Sequence, residues 1–404
     1  MTTQTTPSRY EPRGWTQWPG NHDFSFQFMR TLCASQEGAS TISECFLAAS
    51  KMSVGDTESW HREWTALGDT SSERATAASA AGHYHTAKVN WLRAANYYRS
   101  AEFFLRRNDP RRLQTFDKIE ASSHKYLALM CPQGEIVKVP YLDGQHLDAY
   151  YVRPYDTKDK LPTVICFGGL DEYKDELLHE IPKHAFPRGF SALLVDLPGQ
   201  GGTLRRQKIA TRCDTEVPVG KCVDYLLSRS DVDADRIVLY GASFGGYYSS
   251  RAGSFEHRLK AVVSDGGIFD YPRWQQRRSA EGELEPDGLF AEHIKFITGT
   301  NSLDEAFQIL KDFRLSGVIG KIECPYLLVF GEHDFLGIEQ FDEAYAEAKR
   351  HRLDVTKKLF TAEETGAAHC QIDNPTIGQE YIFDWLADVI GIDQSKSMHK
   401  PSFL

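Results

Sequence analysis

The chain has 404 residues, a formal net charge of −10 and 41% hydrophobic residues, an ordinary balance for a globular protein. The negative charge disfavours nucleic acid and anionic membranes as partners. The eight cysteines are scattered without a Cys-x-x-Cys pair, so neither a zinc site nor a disulfide framework is expected.

Targeting and cofactor signals are also missing from the sequence. It has no apolar stretch long enough for a membrane span and no apolar segment typical of a secretory signal. Cytoplasmic residence with free thiols is therefore expected. Because metal-ligand spacings and the glycine pattern of dinucleotide sites are absent, we expect no cofactor and no metal.

The N-terminal third of the chain has a helical pattern. Residues 1–22 are polar and contain proline and glycine, so we expect an irregular arm there. Residues 23–130 are predicted to form an α-helical cap domain. The pattern is clearest over 77–105, where small and aromatic residues recur at steps of three and four. Such a face suits close packing between helices.

After residue 131, short β-rich runs alternate with helical sequence, and the first two runs flank the hairpin signal Asp143-Gly144. The predicted strands cover residues 135–139, 147–152, 163–167, 190–197, 236–241, 259–264, 326–330 and 356–360. A hairpin followed by βα units predicts a mostly parallel sheet with helices on both faces over 131–404. Residues 270–321 are too long for an ordinary βα loop, so we expect an inserted lid.

The segment Gly241-Ala-Ser243-Phe-Gly245 is the most informative motif. A strand-forming run, 236–241, precedes it, and a helix rich in small residues follows. The glycines permit a sharp turn from strand to helix, and the turn presents the serine in a strained, accessible position. Gly-x-Ser-x-Gly alone is a weak pattern, but between a strand and a helix it indicates a nucleophile.

An acid and a histidine follow two later strands. Asp334 comes shortly after the strand at 326–330, and His369 lies in the loop after the strand at 356–360. Ligands bind at the carboxyl ends of parallel strands, and serine, acid, histidine is the chain order of the α/β-hydrolase fold. His369 would take the serine proton, and Asp334 would orient the imidazole. Glu332 and Asp265 compete with Asp334 for this role.

Backbone donors are also expected near the serine. The N–H of Phe244 begins the helix after the nucleophile, and the glycine-containing loop 167–170 follows an earlier strand. Both could stabilise negative charge on a carbonyl oxygen. The glycine-dense run 196–202 lacks the Gly-Lys-Ser/Thr ending of a phosphate-binding loop, so a loop-packing role is preferred.

Several segments together resemble one branch of the α/β-hydrolases, the 2,6-dihydroxypseudooxynicotine hydrolase group and related fungal polyketide-modifying hydrolases. The discriminating segment is helical, Ala81-Gly-His-Tyr through Trp91 to Phe104. The resemblance also covers Gly168-Gly-Leu-Asp171 with Lys174-Asp-Glu, Asp196-Leu-Pro-Gly-Gln-Gly, Gly241-Ala-Ser-Phe-Gly-Gly and Phe330-Gly-Glu-His-Asp334. It spans nearly the whole chain.

The resemblance implies roles for individual residues. It carries the triad onto Ser243, Asp334 and His369, and the oxyanion hole onto the N–H groups of Phe244 and of Leu170 or Gly169. Members of the group bury their small-molecule substrate between the helical domain and the sheet, and are often homodimers. The residues proposed on this basis to contact substrate are His83, Tyr84, Trp91, Tyr97, Tyr98, Glu172 and Asp270. An acidic residue assists carbon–carbon cleavage in the group, and here Asp171, Glu172, Asp265 and Asp270 compete.

The leading hypothesis is a serine-dependent hydrolase that cleaves an ester, or a carbon–carbon bond beside a ketone, in a bulky aromatic or polyketide-like molecule. An acyltransferase or a lactonising or cyclising enzyme of secondary metabolism with the same triad is the second hypothesis. A non-catalytic scaffold is the third, and the intact serine, acid and histidine argue against it. Sequence does not decide whether the serine forms a covalent intermediate or binds the oxyanion while His369 activates water.

Overall fold

The computed structural model describes residues 16–282, 284–285 and 288–396. Helices come first in the chain, and a sheet with its flanking helices follows. The N-terminal helices are α1 (His22–Cys33), α2 (Ile42–Ala49), α3 (Thr57–Ala80), α4 (Tyr84–Glu102) and α5 (Arg111–Ala128). Most of the predicted N-terminal arm, residues 1–15, lies outside the described residues. Trp18, from the rest of it, is buried against Phe24 and Phe28 of α1.

Close packing of α3 against α4 depends on small residues, as the sequence pattern indicates. A Cβ atom on Gly68 of α3 would lie 2.5 Å from the ring of Tyr98 on α4. The helical run predicted over 77–105 is not continuous, however. It breaks at residues 81–83, where Gly82 has φ +77°, and the chain reverses there. The stretch with the clearest helical pattern therefore belongs to two helices, the end of α3 and the whole of α4.

In the part of the chain that the structure describes, eight strands form one sheet, which confirms the predicted fold class. The strands are β1 (Glu135–Pro140), β2 (His146–Val152), β3 (Leu161–Phe167), β4 (Ser191–Val195), β5 (Val232–Ala242), β6 (Val262–Asp265), β7 (Tyr326–Gly331) and β8 (Val355–Phe360). Their order in the sheet is β1-β2-β4-β3-β5-β6-β7-β8. Strand β2 pairs antiparallel with β1 and β4, and the other pairs are parallel. This is the α/β-hydrolase fold.

Helices cover both faces of the sheet and enclose a hydrophobic core on each side. The remaining helices are α6 (Lys174–Glu180), α7 (Pro182–Ala185), α8 (Gly201–Arg205), α9 (Glu216–Leu227), α10 (Phe244–Gly253), α11 (Tyr271–Ala280), α12 (Leu289–Thr298), α13 (Leu303–Leu310), α14 (Ile338–Arg350) and α15 (Pro375–Val389). Helices α9, α10 and α14 pack on one face, and α6 and α15 pack on the other. Strand β3 is buried along its whole length, as expected for a strand covered on both sides.

The segment between β6 and β7 contains α11, α12 and α13, within the range for which an inserted lid is predicted. Trp274 of α11 and Ile294 of α12 are buried in the core on the α10 side of the sheet. No helix among the described residues combines the length and apolar character that crossing a membrane requires.

Candidate active site

Ser243 lies at the turn between β5 and α10 with φ 59° and ψ −125°. A non-glycine residue rarely takes this conformation, which costs on the order of 1–3 kcal/mol. The neighbouring glycines leave no room for side chains. A Cβ atom on Gly241 would lie 2.1 Å from the carbonyl oxygen of Gly245, and one on Gly245 would lie 2.5 Å from that of Gly168. The strained turn presents the serine hydroxyl at the carboxyl edge of the sheet, as the motif predicts.

A chain of two hydrogen bonds joins the predicted serine, histidine and acid. Nε2 of His369 lies 2.8 Å from Ser243 Oγ, and its Nδ1 lies 2.7 Å from Oδ2 of Asp334. The second carboxylate oxygen of Asp334 accepts the N–H of Leu336 at 2.9 Å. Asp334 and His369 are both buried. The imidazole is therefore held with one nitrogen toward the hydroxyl and the other toward a carboxylate.

The two competing acids occupy other positions. Glu332 is exposed and accepts the N–H of Ala362 at 2.9 Å. Asp265 is buried, and its carboxylate accepts a hydrogen bond from Gln371 at 3.1 Å. Burial raises the pKa of Asp265 to about 7, so this carboxyl is partly protonated near neutral pH. Asp334 is thus the carboxylate that contacts the imidazole of His369.

The electrostatic surroundings favour a protonated His369. Burial lowers the pKa of this imidazole, but the charge and hydrogen bond of Asp334, together with the charges of Asp265 and Asp171, raise it, and the net shift is upward. A base with this environment can accept the serine proton and hold it as imidazolium beside a carboxylate. The side chain of Phe335 also contacts the ring, with 4.3 Å between centroids.

Backbone donors converge on the serine from two loops. The Phe244 N–H belongs to the first residue of α10, where helical N–H groups have no partner within the helix. After β3, a Cβ atom on Gly169 would lie 2.9 Å from Ser243 Oγ. The loop Gly168–Leu170 therefore passes directly beside the Ser243 hydroxyl, which is the position that an oxyanion hole would require.

Gln200 supports this loop, and the sequence analysis did not single it out. Its side-chain amide donates to the carbonyl oxygens of Gly168 at 2.5 Å and of Gly169 at 2.9 Å. It lies within the 196–202 run, to which the sequence analysis assigned a packing role only. Its side-chain oxygen accepts the Leu197 N–H at 3.0 Å, which fixes the direction of the amide. A polar, uncharged residue inside a buried glycine-rich turn is the sequence feature that could have indicated this role.

A cavity of about 510 Å³ opens beside Ser243 and His369. Its walls come from α1, the loop after β3, the segment between β6 and β7, and the loops after β7 and β8. Many of the wall residues are aromatic: Phe26, Phe103, Tyr240, Phe244, Tyr271, Trp274, Phe290 and Phe335. A cavity of this size and composition fits a drug-sized apolar molecule with a few polar groups.

The chain matches the Esterase FrsA-like family over residues 51–271, which is more than half of its length. It belongs to this family. The Prolyl oligopeptidase family also matches, over residues 218–391. Both families and the curated relatives are hydrolases, and the FrsA-like chain is a serine-type α/β-hydrolase.

Two fungal relatives of this FrsA-like hydrolase align over most of their length. Hydrolase LUC6 from Fusarium sp is 29% identical and covers 91% of this chain and 97% of the relative. The 20-hydroxy-prefusarin hydrolase FUS2 from Gibberella moniliformis is also 29% identical and covers 77% of this chain and 82% of its own. The crystal structure of the 2,6-dihydroxy-pseudo-oxynicotine hydrolase superposes with a TM-score of 0.76 at 23% identity, covering 89% and 95% of the two chains. The resemblance found in the sequence is confirmed.

The five aromatic and histidine candidates of the FrsA-like chain do not line this cavity, so the structure does not bring them beside Ser243. Tyr97 stacks on Trp64 and bonds to Glu44, and Tyr98 bonds to Asp69. These contacts lie within the N-terminal helices. A helical periodicity indicates a buried face but not the partner of that face.

The other three candidates are similarly placed away from the cavity. Trp91 packs under the ammonium group of Lys125, 3.9 Å from the ring centroid. Tyr84 is 58% exposed, and His83 is exposed at the start of α4. Phe103, the residue that directly follows the carboxyl end of α4, does line the cavity.

The N-terminal contribution to the cavity comes mainly from α1 instead. Phe26, Gln27 and Arg30 line the wall, and the sequence analysis named none of them. They lie at steps of one and three on an amphipathic helix, a spacing that marks a helix face without saying what that face meets. Only the fold brings this face beside residue 243.

Four acids were left open as the assisting residue, and the structure separates them by position. Asp171 and Glu172 line the cavity, whereas Asp265 is not among the wall residues and accepts a hydrogen bond from Gln371. Asp270, proposed as a substrate contact, does not line the cavity. It caps α11 by accepting the Arg273 N–H at 3.0 Å, so its carboxylate already has a local structural partner.

One group among the described residues has the spacing of a metal site. Ligand atoms of Glu176, His179 and Glu180 on α6 lie within 4.8 Å of one another. Both oxygens of Glu176, however, already accept hydrogen bonds from Arg30 at 2.7 Å. A metal ion would have to displace this guanidinium, so the residues fit a divalent cation poorly.

Proposed function

We propose that this hydrolase cleaves an ester, or a carbon–carbon bond beside a ketone, in a bulky aromatic or polyketide-like molecule. Ser243 is the proposed nucleophile, His369 the base and Asp334 the orienting acid. The observation that carries the proposal is the hydrogen-bonded chain of 2.7 and 2.8 Å opening onto a cavity of about 510 Å³. A hydroxyl held this way becomes a nucleophile because the imidazole removes its proton during attack.

The chemistry proceeds in two stages. Ser243 Oγ attacks the carbonyl carbon as its proton moves to His369 Nε2, and the N–H groups of Phe244 and of Leu170 or Gly169 stabilise the oxyanion. Collapse of the adduct breaks the bond to the leaving group, which takes the proton from His369. This proton is essential for a carbon leaving group, because a free carbanion is too basic. Water then attacks the acyl-enzyme with His369 again acting as base.

The substrate class is supported by the cavity wall and by the relatives. The aromatic side chains of the wall offer flat apolar surfaces, which suit an aromatic or conjugated chain. FUS2 is named for hydrolysis of 20-hydroxy-prefusarin, and the matching crystal structure is of a pseudo-oxynicotine hydrolase. We therefore place this chain among hydrolases of small natural products.

The domain division and assembly are also proposals. We propose that residues 23–130 act as a cap and residues 131–404 as the catalytic domain, because α1 contributes to the same cavity as the triad. A homodimer is proposed from the family resemblance. Sedimentation velocity at several protein concentrations measures its mass, and a single monomeric species throughout contradicts it.

Active-site labelling tests the proposed nucleophile directly. A fluorophosphonate should label the wild-type protein at one residue, and Ser243→Ala should abolish the labelling. Ser254→Ala is the matched control, since Ser254 is buried on α10's carboxyl end, where its hydroxyl donates to Ser250 O at 2.8 Å. Labelling that survives in Ser243→Ala, or an unlabelled wild-type protein that hydrolyses no activated ester, contradicts the proposal.

Product analysis separates hydrolysis from acyl transfer. In buffer containing ¹⁸O-water, a hydrolase places the heavy oxygen in the released acid. A transferase or lactonising enzyme would return an ester of an added or internal alcohol without the label. Mass spectrometry of the intact protein during turnover detects the acyl group on residue 243 and tests the covalent step.

A further inference from the structure

Four charged side chains connect the N-terminal helices to the loop that passes beside Ser243. Arg30 belongs to α1 and Arg99 to α4, whereas Asp171 and Glu176 lie after β3, the latter on α6. The side chains of Arg99 and Glu176 are only 3% and 2% exposed. We call these four residues the arginine–carboxylate tetrad.

The tetrad is closed, because each guanidinium contacts both carboxylates. Arg30 donates to Glu176 through Nε and Nη2, each at 2.7 Å, and to Asp171 at 2.9 Å. Arg99 lies 2.9 Å from Glu176 and 3.3 Å from Asp171. Two positive and two negative charges therefore balance at short range. Charge-assisted bonds from a planar guanidinium fix the carboxylates in both distance and direction.

Asp171 directly follows Leu170, whose backbone N–H is a proposed oxyanion donor. In the part of the chain that the structure describes, this N–H donates to no backbone carbonyl. Only two soft dihedral angles separate the peptide planes on either side of Leu170, so an immobile Asp171 restricts the direction of that N–H. Gln200 already holds the carbonyl oxygens of Gly168 and Gly169. The tetrad holds the next part of the same loop, from the side of the N-terminal helices.

We propose that Arg30 and Arg99 are positioning residues for the oxyanion hole, acting through Asp171. The N-terminal helices then contribute to the reaction itself as well as to the cavity wall. The inference rests on the proposed function, since it concerns the same reaction. It gives a role to Arg99, which is not among the wall residues and so acts without touching a bound substrate.

Arg99→Lys tests the positioning role. Lysine keeps the positive charge but lacks the planar fork, so it cannot bond both carboxylates in the present geometry. With para-nitrophenyl acetate, we expect kcat and kcat/KM to fall together by about 10- to 100-fold, while KM stays within about twofold of wild type. Arg30 is less suitable for this test, because it lines the wall itself. An unchanged kcat in Arg99→Lys overturns the inference.

Asp171→Asn is an isosteric second variant, which also decides the question if Arg99→Lys does not fold. Its ion pairs are weakened, so kcat should fall by a similar factor. A field effect has the opposite sign: a carboxylate near the oxyanion opposes the developing charge, so its neutralisation alone would raise kcat. A rise in kcat therefore overturns the inference. All variants are assayed on the plateau above the pKa of His369, because the charge of Asp171 also acts on that imidazole.

A double variant shows whether the two residues act along one path. If Arg99 acts through Asp171, Arg99→Lys combined with Asp171→Asn should lose no more activity than the larger single loss, within about twofold. Losses that multiply would indicate two independent effects and contradict the proposal.

Glu37→Gln is the matched control. The Glu37 side chain is 3% exposed and pairs with Lys183 at 3.0 Å and His184 at 3.1 Å, so it joins the N-terminal helices to α7. It is not among the cavity-wall residues, and kcat for the acetate ester should stay within about twofold of wild type. An equal loss in this control would indicate a general loosening of the helical part and contradict the proposal.

Hydrogen exchange measures the order of the loop without turnover. Peptides covering residues 167–173 should exchange faster in Arg99→Lys than in the wild type, and at the wild-type rate in Glu37→Gln. Unchanged exchange in Arg99→Lys overturns the inference. If the wild-type protein hydrolyses no activated ester and takes no fluorophosphonate label, the proposed function fails, and exchange still decides whether the tetrad orders the loop. An active wild type with unchanged kcat in both single variants overturns the inference alone.

Discussion

The two polar regions of the cavity differ in how completely their groups are paired. At the Ser243 end, the imidazole has a partner on each nitrogen, and the acid accepts a further backbone N–H. At the Glu172–Glu180 end, two buried carboxyls line the wall, and the amide oxygen of Gln379 has no partner among the described residues. Paired groups are ready for chemistry on any acyl compound that enters, whereas unpaired ones gain most when a complementary ligand arrives. We therefore assign reactivity to the first region and selectivity to the second.

Asp334→Asn should have the largest effect on the paired region. An asparagine keeps the shape but cannot stabilise the imidazolium, and we expect kcat/KM for an activated ester to fall by about 10⁴-fold. Asp265→Asn is the comparison, because this carboxyl does not bond to His369, and its loss should be below about tenfold. Steady-state kinetics on both variants checks the assignment. A larger loss of kcat/KM in Asp265→Asn than in Asp334→Asn would indicate that Asp265 orients the imidazole instead.

Gln200→Ala should weaken the paired region through its backbone donors. The variant loses both hydrogen bonds to the loop carbonyls of Gly168 and Gly169, so the donors shift and kcat should fall by about 10- to 100-fold. KM should change less than kcat, since substrate contacts remain. Gln207→Ala is a matched control, because Gln207 also makes two main-chain bonds, to His146, away from the cavity. Equal losses in the two variants would indicate a general effect on folding.

The pH profile should report the raised pKa of His369. The base must be neutral to accept a proton, so kcat/KM should be high above this pKa and fall as the pH drops through it. Because the net shift is upward, the inflection should lie above about 6.5, with activity reduced about tenfold one unit below it. In Asp334→Asn the inflection should move down, since the charge that raises the pKa is gone. An inflection at an unchanged pH would show that a group other than His369 controls the pH profile.

Tyr98→Phe should have the smallest effect on activity. Tyr98 lies outside the cavity wall, so kcat/KM should stay within about twofold of wild type. Folding stability should fall by about 0.5–1.5 kcal/mol, because the hydroxyl loses its bond to Asp69. Urea unfolding and steady-state kinetics measure the two quantities. A rise in KM without a loss of stability would restore this residue as a substrate contact.

Sequence was informative wherever function depends on a local turn at the end of a strand. Ser243 and His369 both follow recognisable strands, so their convergence follows from the fold class alone. It was uninformative where function depends on contacts between distant segments. Gln200 supports a loop more than thirty positions earlier, and Arg30 meets Glu176 across 146 positions. No local sequence pattern indicates contacts over such separations. The aromatic periodicity of α4 indicated only that this helix packs against other helices.

The ion pair between Arg30 and Asp171 restricts how the substrate range of this enzyme can change during evolution. Asp171 directly follows Leu170, a proposed oxyanion donor. The carboxylate of Asp171 forms ion pairs with Arg30 of α1 and Arg99 of α4. Exchanging the N-terminal helices for those of a relative would alter substrate range and catalytic geometry together. A viable chimera must carry both arginines or replace Asp171 at the same time. New specificities in this lineage should therefore arise first by substitutions on α1 and the segment between β6 and β7, without wholesale replacement of the helical part.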